Sequence, residues 1–172
     1  MSGSVITAIV PVGPALVYAT IMRHLRDGPR DSRSLGDARR AEVTLASRRV
    51  ALPHDPFSQD WEREVADHSR FGEFLDAYES GGLDEDERFA LMAILIQCIE
   101  DMGLPSVESS PQWHSVANLL RAHAGLHASS VRYWSCLEDR DLEDCFRVTG
   151  PMRAVWDLIR RSDDELSDAS QH

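Results

Sequence analysis

From residue 57 onward the apolar positions of this chain fall into helical stripes, and one segment breaks that pattern. Within Asp84–Met102 (DEDERFALMAILIQCIEDM) every residue from Phe89 to Ile96 is apolar, and only Gln97 intervenes before Cys98 and Ile99. A helix that is apolar all round is surrounded by other elements, so this segment is expected at the centre of the fold. Its ends are also marked. Asp84 with Glu87 three residues later has the spacing of a capping box, and Gly103 followed by Pro105 supplies a stop.

The flanking segments predict partners for that helix. Phe57, Trp61, Val65, His68, Phe71 or Gly72, Leu75 and Tyr78 recur at helical spacing, with Gly72 as a candidate break and Gly81-Gly82 as the end. The short glycine turn then implies an antiparallel helical hairpin. Ser110-Pro111 opens a third helix with Trp113, Val116, Leu119 and Leu120 inward, which Gly125 should interrupt. Leu126, Val131, Trp134 and Leu137 define a fourth helix, Leu126–Leu137. An acidic loop follows, then an extended piece at Cys145–Val148. Thr149-Gly150-Pro151 starts a last helix with Met152, Val155, Trp156 and Ile159 on one face.

Before residue 53 the pattern differs. Val5–Val10 and Ala41–Leu52 are candidate strands, separated by a Gly-, Ser-, Asp- and Arg-rich linker at 27–40. The expected fold is therefore mainly α: a single-domain bundle of about five helices around a buried central helix at 84–102, with one or two short strands added by the N-terminal region. Residues 1–52 form a basic and apolar extension and linker, 53–161 the helical domain and 162–172 an acidic tail.

Charge sharpens this division. All 18 basic residues are arginine, and the net charge is −11. Residues 1–50 carry eight arginines against four acids, or +4; residues 51–172 carry ten against 25, or −15. So acidic a body repels phosphates, which disfavours nucleic acid, and attracts basic partners. The uncharged stretch Val5–Met22, followed by Arg23 and Arg26, suggests a membrane tether, but Pro11, Gly13 and Pro14 interrupt it near the minimum spanning length.

Candidate chemistry is sparse. Phosphate-loop, dinucleotide and nucleophile-elbow motifs are missing from the chain. His123 and His127 stand four apart, a spacing at which two imidazoles can share a metal, but the Glu of H-E-x-x-H is lacking. Cys98, Cys136 and Cys145 form no C-x-x-C pair and read as reduced structural thiols, the latter two bracketing a loop whose acids disfavour a thiolate. The acids Asp84–Glu87 are explained by capping and the helix dipole. Tyr133 and Trp134 are adjacent and cannot both face inward on one helix, which leaves one for a contact surface.

The F-x-x-F-L-x-x-Y pattern at Phe71–Tyr78, the D-E-D-E-R-F-A-L-M entry to the apolar helix, Tyr133-Trp134 and Thr149-Gly150-Pro151-Met152-Arg153 together resemble small, acidic, helical bacterial proteins of the toxin-immunity type. The resemblance covers about half the chain, and no functional residue is carried over from it. It implies a helical, non-enzymatic inhibitor.

The expected function is thus a non-enzymatic protein-binding module, an immunity or inhibitor protein that masks a basic partner surface with acidic loops. The partner-binding residues expected are Glu138, Asp139, Asp141, Glu143, Asp144 and Tyr133, with no catalytic residue, no metal and no cofactor. The alternatives are a metal-binding protein or hydrolase using His123 and His127, and a membrane-tethered adaptor using residues 5–22. A cytoplasmic location is expected, or a membrane-associated one in the tethered alternative. The sequence carries no signal of oligomeric state.

Overall fold

The structure is a computed structural model that describes residues 50–52, 61–142 and 145–169. The candidate strand at Val5–Val10, residues 41–49 of the candidate strand at Ala41–Leu52, the uncharged stretch at Val5–Met22, the linker, Phe57 and residues 170–172 lie outside the described residues. Among those described, the fold is mainly α, a bundle of six α-helices and one 3-10 turn with no strand.

The first helical region divides earlier than Gly72. α1 (Trp61–Val65) stops at Ala66, and Asp67 then caps a 3-10 turn at His68–Arg70 by accepting from the Ser69 amide. α2 (Phe71–Glu79) follows at once, so Gly72 sits in its first turn. This break shifts the inward face. Val65, Phe71, Phe74 and Tyr78 are buried, whereas His68 is exposed. Gly81 and Gly82 both take positive φ, 78° and 76°, a conformation that costs a residue with a Cβ about 1 kcal/mol or more. That turn folds α3 (Glu85–Asp101) back against α2 in the expected hairpin.

α3 is the central element. It packs against α1, the 3-10 turn, α2, α4 (Pro111–Ala122) and α5 (Ala124–Trp134). No residue from Asp86 to Glu100 is exposed, and Leu91, Met92, Ile94, Leu95, Ile96, Cys98 and Ile99 are fully buried. Both halves of the capping box are present: the Glu87 amide donates to Asp84 Oδ1 at 2.8 Å, and the Asp84 amide donates to Glu87 Oε2 at 2.9 Å. Gly103 ends the helix region with φ 60°.

The remaining helices close the bundle. Ser110 caps α4 by accepting from the Trp113 amide, with Pro111 at its first position. The α4–α5 break falls at His123 (φ −117°, ψ 38°) and not at Gly125, which lies exposed in the first turn of α5. α5 ends at Trp134, three residues short of the expected limit, so Leu137 lies outside the helix and faces solvent. The expected extended piece at 145–148 is a bend and turn. α6 (Thr149–Ala169) packs on α4 and α5 through Met152, Val155 and Ile159. Val50 and Leu52 are buried in the same core, and the Arg70 guanidinium donates to the Ala51 carbonyl, so the core draws on residues before 53.

Candidate functional site

Of the candidate metal-binding pair, His127 lies inside the bundle and His123 is partly buried. Tyr78 Oη and His127 Nε2 are hydrogen-bonded at 2.8 Å, and both side chains are fully buried. The Phe89 ring stacks on His127 at 6.0 Å, and the His123 ring meets Tyr78 edge-on at 5.9 Å. The Arg88 guanidinium lies over the Tyr78 ring, 5.3 Å from its centroid. Burial raises the Tyr78 hydroxyl to about 12 against the partial opposition of Arg88. With Nε2 engaged by Tyr78, His127 ties α2 to α5; a buried polar tie of this kind favours one packing register over others.

The segment between α5 and α6 is built differently. α5 stops because Cys136 turns the chain with φ 41°, in the left-handed region where glycine is the usual occupant. A residue with a Cβ holds that conformation at a cost of about 1 kcal/mol or more, so something must fix it. Arg153, in the second turn of α6, does so. Its Nε donates to the Ser135 carbonyl at 2.8 Å, and Nη2 donates to the Cys136 and Asp139 carbonyls at 2.6 and 2.7 Å. At the other end, the Glu100 carboxylate on α3 accepts from the Arg147 and Val148 amides at 3.0 and 3.1 Å. Two charged side chains thus anchor the connection to the bundle by its backbone, and charge-assisted bonds of this kind are the stronger class.

Of the expected partner-binding residues, Glu138, Asp139 and Asp141 are exposed on this connection, while Glu143 and Asp144 lie outside the described residues. Leu137 and Leu142 are also exposed, at 41% and 48%, and with Leu158 they are the exposed large hydrophobics among the described residues. Tyr133 is half-buried: its ring packs beside Trp134 and Phe146, at 5.7 and 6.0 Å, with Trp134 buried beneath. Trp134 is therefore the inward member of the aromatic pair, and Tyr133, in contact with Phe146, is the member nearer the surface.

The same connection gathers the thiols. Among the described residues, Cys136, Asp139 and Cys145 place one ligand-type atom each within 4.8 Å of one another. Thr149 Oγ1 donates to Cys136 Sγ at 3.7 Å, and Cys145 Sγ donates to the Asp141 carbonyl at 3.3 Å. Burial pushes the Cys145 thiol up to about 11; the adjoining Cys136 sulfur and Asp139 add to the rise, and Arg153 opposes it. Cys98 stands apart in the core, pushed up to about 12 chiefly by burial.

Sequence reasoning did not find Arg153, Glu100 or the convergence of Cys136 with Asp139 and Cys145. The signal for Arg153 was present in T-G-P-M-R, where an arginine near a helix start runs against the helix dipole and needs another reason to be there. No family model, curated protein or solved structure matches this chain. No helix among the described residues is long and apolar enough to cross a membrane.

Proposed function

We propose that this protein is a non-catalytic binding module whose contact element is the α5–α6 connection, and that its partner presents a basic surface with a shallow apolar pocket. The observation that carries the reading is the grouping of exposed Leu137 and Leu142 with exposed Glu138, Asp139 and Asp141 on a connection whose first part, from Ser135 to Asp139, Arg153 holds by its carbonyls. A fixed backbone lowers the ordering cost of association. Carboxylates steer a basic partner and raise the on-rate, while each leucine adds about 1–2 kcal/mol if its side chain is fully buried in the contact. Arg140 on the same turn tempers the charge and gives a means of selecting against uniformly basic surfaces. The acidic body, −15 over residues 51–172, supports the same type of partner, and an inhibitor or immunity role toward a basic toxin is the form of the reading that the sequence resemblance supports.

The test is capture from the source organism followed by kinetics on the purified partner. Glu138→Gln, Asp139→Asn and Asp141→Asn combined should slow association about tenfold at low salt and little at high salt. Leu137→Ser with Leu142→Ser should speed dissociation at either salt concentration. Binding that neither variant alters would reject the contact surface.

A further inference from the structure

We propose that Cys136, Asp139 and Cys145 form a binding site for one zinc-class divalent cation, which ties the end of α5 to the start of α6. The site is independent of the partner reading and stands if no partner binds the loop.

Distance is the first argument. Around a tetrahedral zinc with Zn–S about 2.3 Å and Zn–O about 2.1 Å, two ligand atoms stand roughly 3.5–3.8 Å apart. The three donor atoms already lie within 4.8 Å of one another, so rotation about side-chain bonds brings them into range without moving the helices. Donor chemistry is the second. Two thiols and one carboxylate suit a borderline-soft cation and disfavour magnesium or calcium, which take oxygen ligands.

The surroundings support the same assignment. Arg153 holds the backbone carbonyls of Cys136 and Asp139, so two of the three ligand residues are fixed by one side chain. The Thr149 hydroxyl donates to Cys136 Sγ, an outer interaction of the kind that orients a thiolate ligand. Two thiolates and a carboxylate around a divalent cation leave one excess negative charge, and the Arg153 guanidinium beside them balances it. The left-handed backbone at Cys136 also acquires a reason. Glycine would fit that turn at lower cost, and cysteine brings a sulfur to it. On binding, two S–H bonds are replaced by two S–metal bonds and two protons pass to solvent. Asp139 is exposed and both cysteines are partly exposed, so water can complete the fourth position.

The experiment uses the untagged full-length chain, reduced and stripped of metal, titrated with Co2+ alone and then with Zn2+. The expected result is a thiolate-to-cobalt charge-transfer band with tetrahedral d–d absorption, saturating at one cobalt per chain and lost when zinc displaces it. Cys136→Ser and Cys145→Ser should each abolish the charge-transfer band or at least halve it, with Cys145→Ala as a second variant and circular dichroism confirming the fold. Asp139→Asn should weaken binding about tenfold, and Cys98→Ala should leave the band intact. A folded, reduced chain that gives no such band overturns the proposal, as does a band that survives both serine variants. If protein purified without reductant carries a Cys136–Cys145 disulfide and the reduced form takes up no cobalt, the pair is a redox pair and the metal assignment falls.

Discussion

Two acid-rich segments of this chain set their carboxylates differently. At the start of α3, Asp84 and Glu87 turn their carboxylates onto backbone amides, and Glu87 is left only 4% exposed. Between α5 and α6, Glu138, Asp139 and Asp141 face solvent, and the backbone there is held by Arg153 and Glu100 instead. Charge used to build a helix end is not available to a partner. Charge carried on a turn that other residues hold in place leaves the backbone amides to other partners and stands at the surface. The apolar residues divide in the same way, since α3 buries its leucines and isoleucines completely while the connection exposes Leu137 and Leu142.

The largest expected difference follows from that last contrast. Leu95→Ala leaves a cavity where α3 is enclosed by its neighbours and should cost about 3–5 kcal/mol in denaturant unfolding. Leu142→Ala should change stability by less than about 0.5 kcal/mol. Equal costs would mean that the connection belongs to the core.

A second test uses alkaline pH. The Cys98 thiol is raised to about 12 in the folded chain from 9.0, so above pH 9 the unfolded chain loses that proton while the folded chain keeps it. The unfolded state then binds fewer protons, and stability falls as pH rises. From pH 9 to about pH 11 the Cys98 contribution should lower stability by about 2 kcal/mol, and Cys98→Ala should remove that part from unfolding curves measured across the window. Tyr78, raised to about 12 from 10.0, adds a further decline that starts near pH 10. A flat wild-type profile would refute the burial argument for α3.

Removing the brace is the third. Arg153→Ala strips charged donors from three carbonyls and should cost about 2 kcal/mol, with amide exchange accelerating between residues 135 and 142 before it does in α3. Uniform acceleration throughout the bundle would show that Arg153 supports the whole fold and not the connection.

How far the sequence could be read follows the same divide. The central helix, its capping box, the glycine turn before it and the Ser110-Pro111 start were all legible, because each depends on residues within four positions of one another. Helix ends set by distant contacts were not. Leu137 continued the periodicity of α5, yet the helix stops at Trp134, where a left-handed Cys136 is held by an arginine 17 residues away. The break at Ala66 was hidden because Asp67 caps a 3-10 turn, leaving Gly72 as the more conspicuous candidate. The site was legible only as an acidic loop. Its anchors, Glu100 and Arg153, lie on other elements, and the thiols that flank it meet only after the chain turns.

The smallest effect is the most discriminating, because it compares acid with acid. Asp84→Ala removes one half of the capping box and leaves the Glu87 amide without its side-chain acceptor, so it should cost about 1 kcal/mol of unfolding free energy. Replacing Glu138, Asp139 and Asp141 with their amides removes three charges from an exposed turn and should change stability by less than about 0.5 kcal/mol in either direction. Both measurements belong in moderate salt, where screening weakens long-range repulsion within the acidic body and leaves the local hydrogen bond in place. If the triple variant instead destabilises by as much as Asp84→Ala, the loop carboxylates are structural and the contrast between the two segments disappears. If it is neutral in stability, a loss of partner binding shared with a Glu138→Gln, Asp141→Asn variant that keeps Asp139 reports on the surface itself, since the fold beneath it is unchanged.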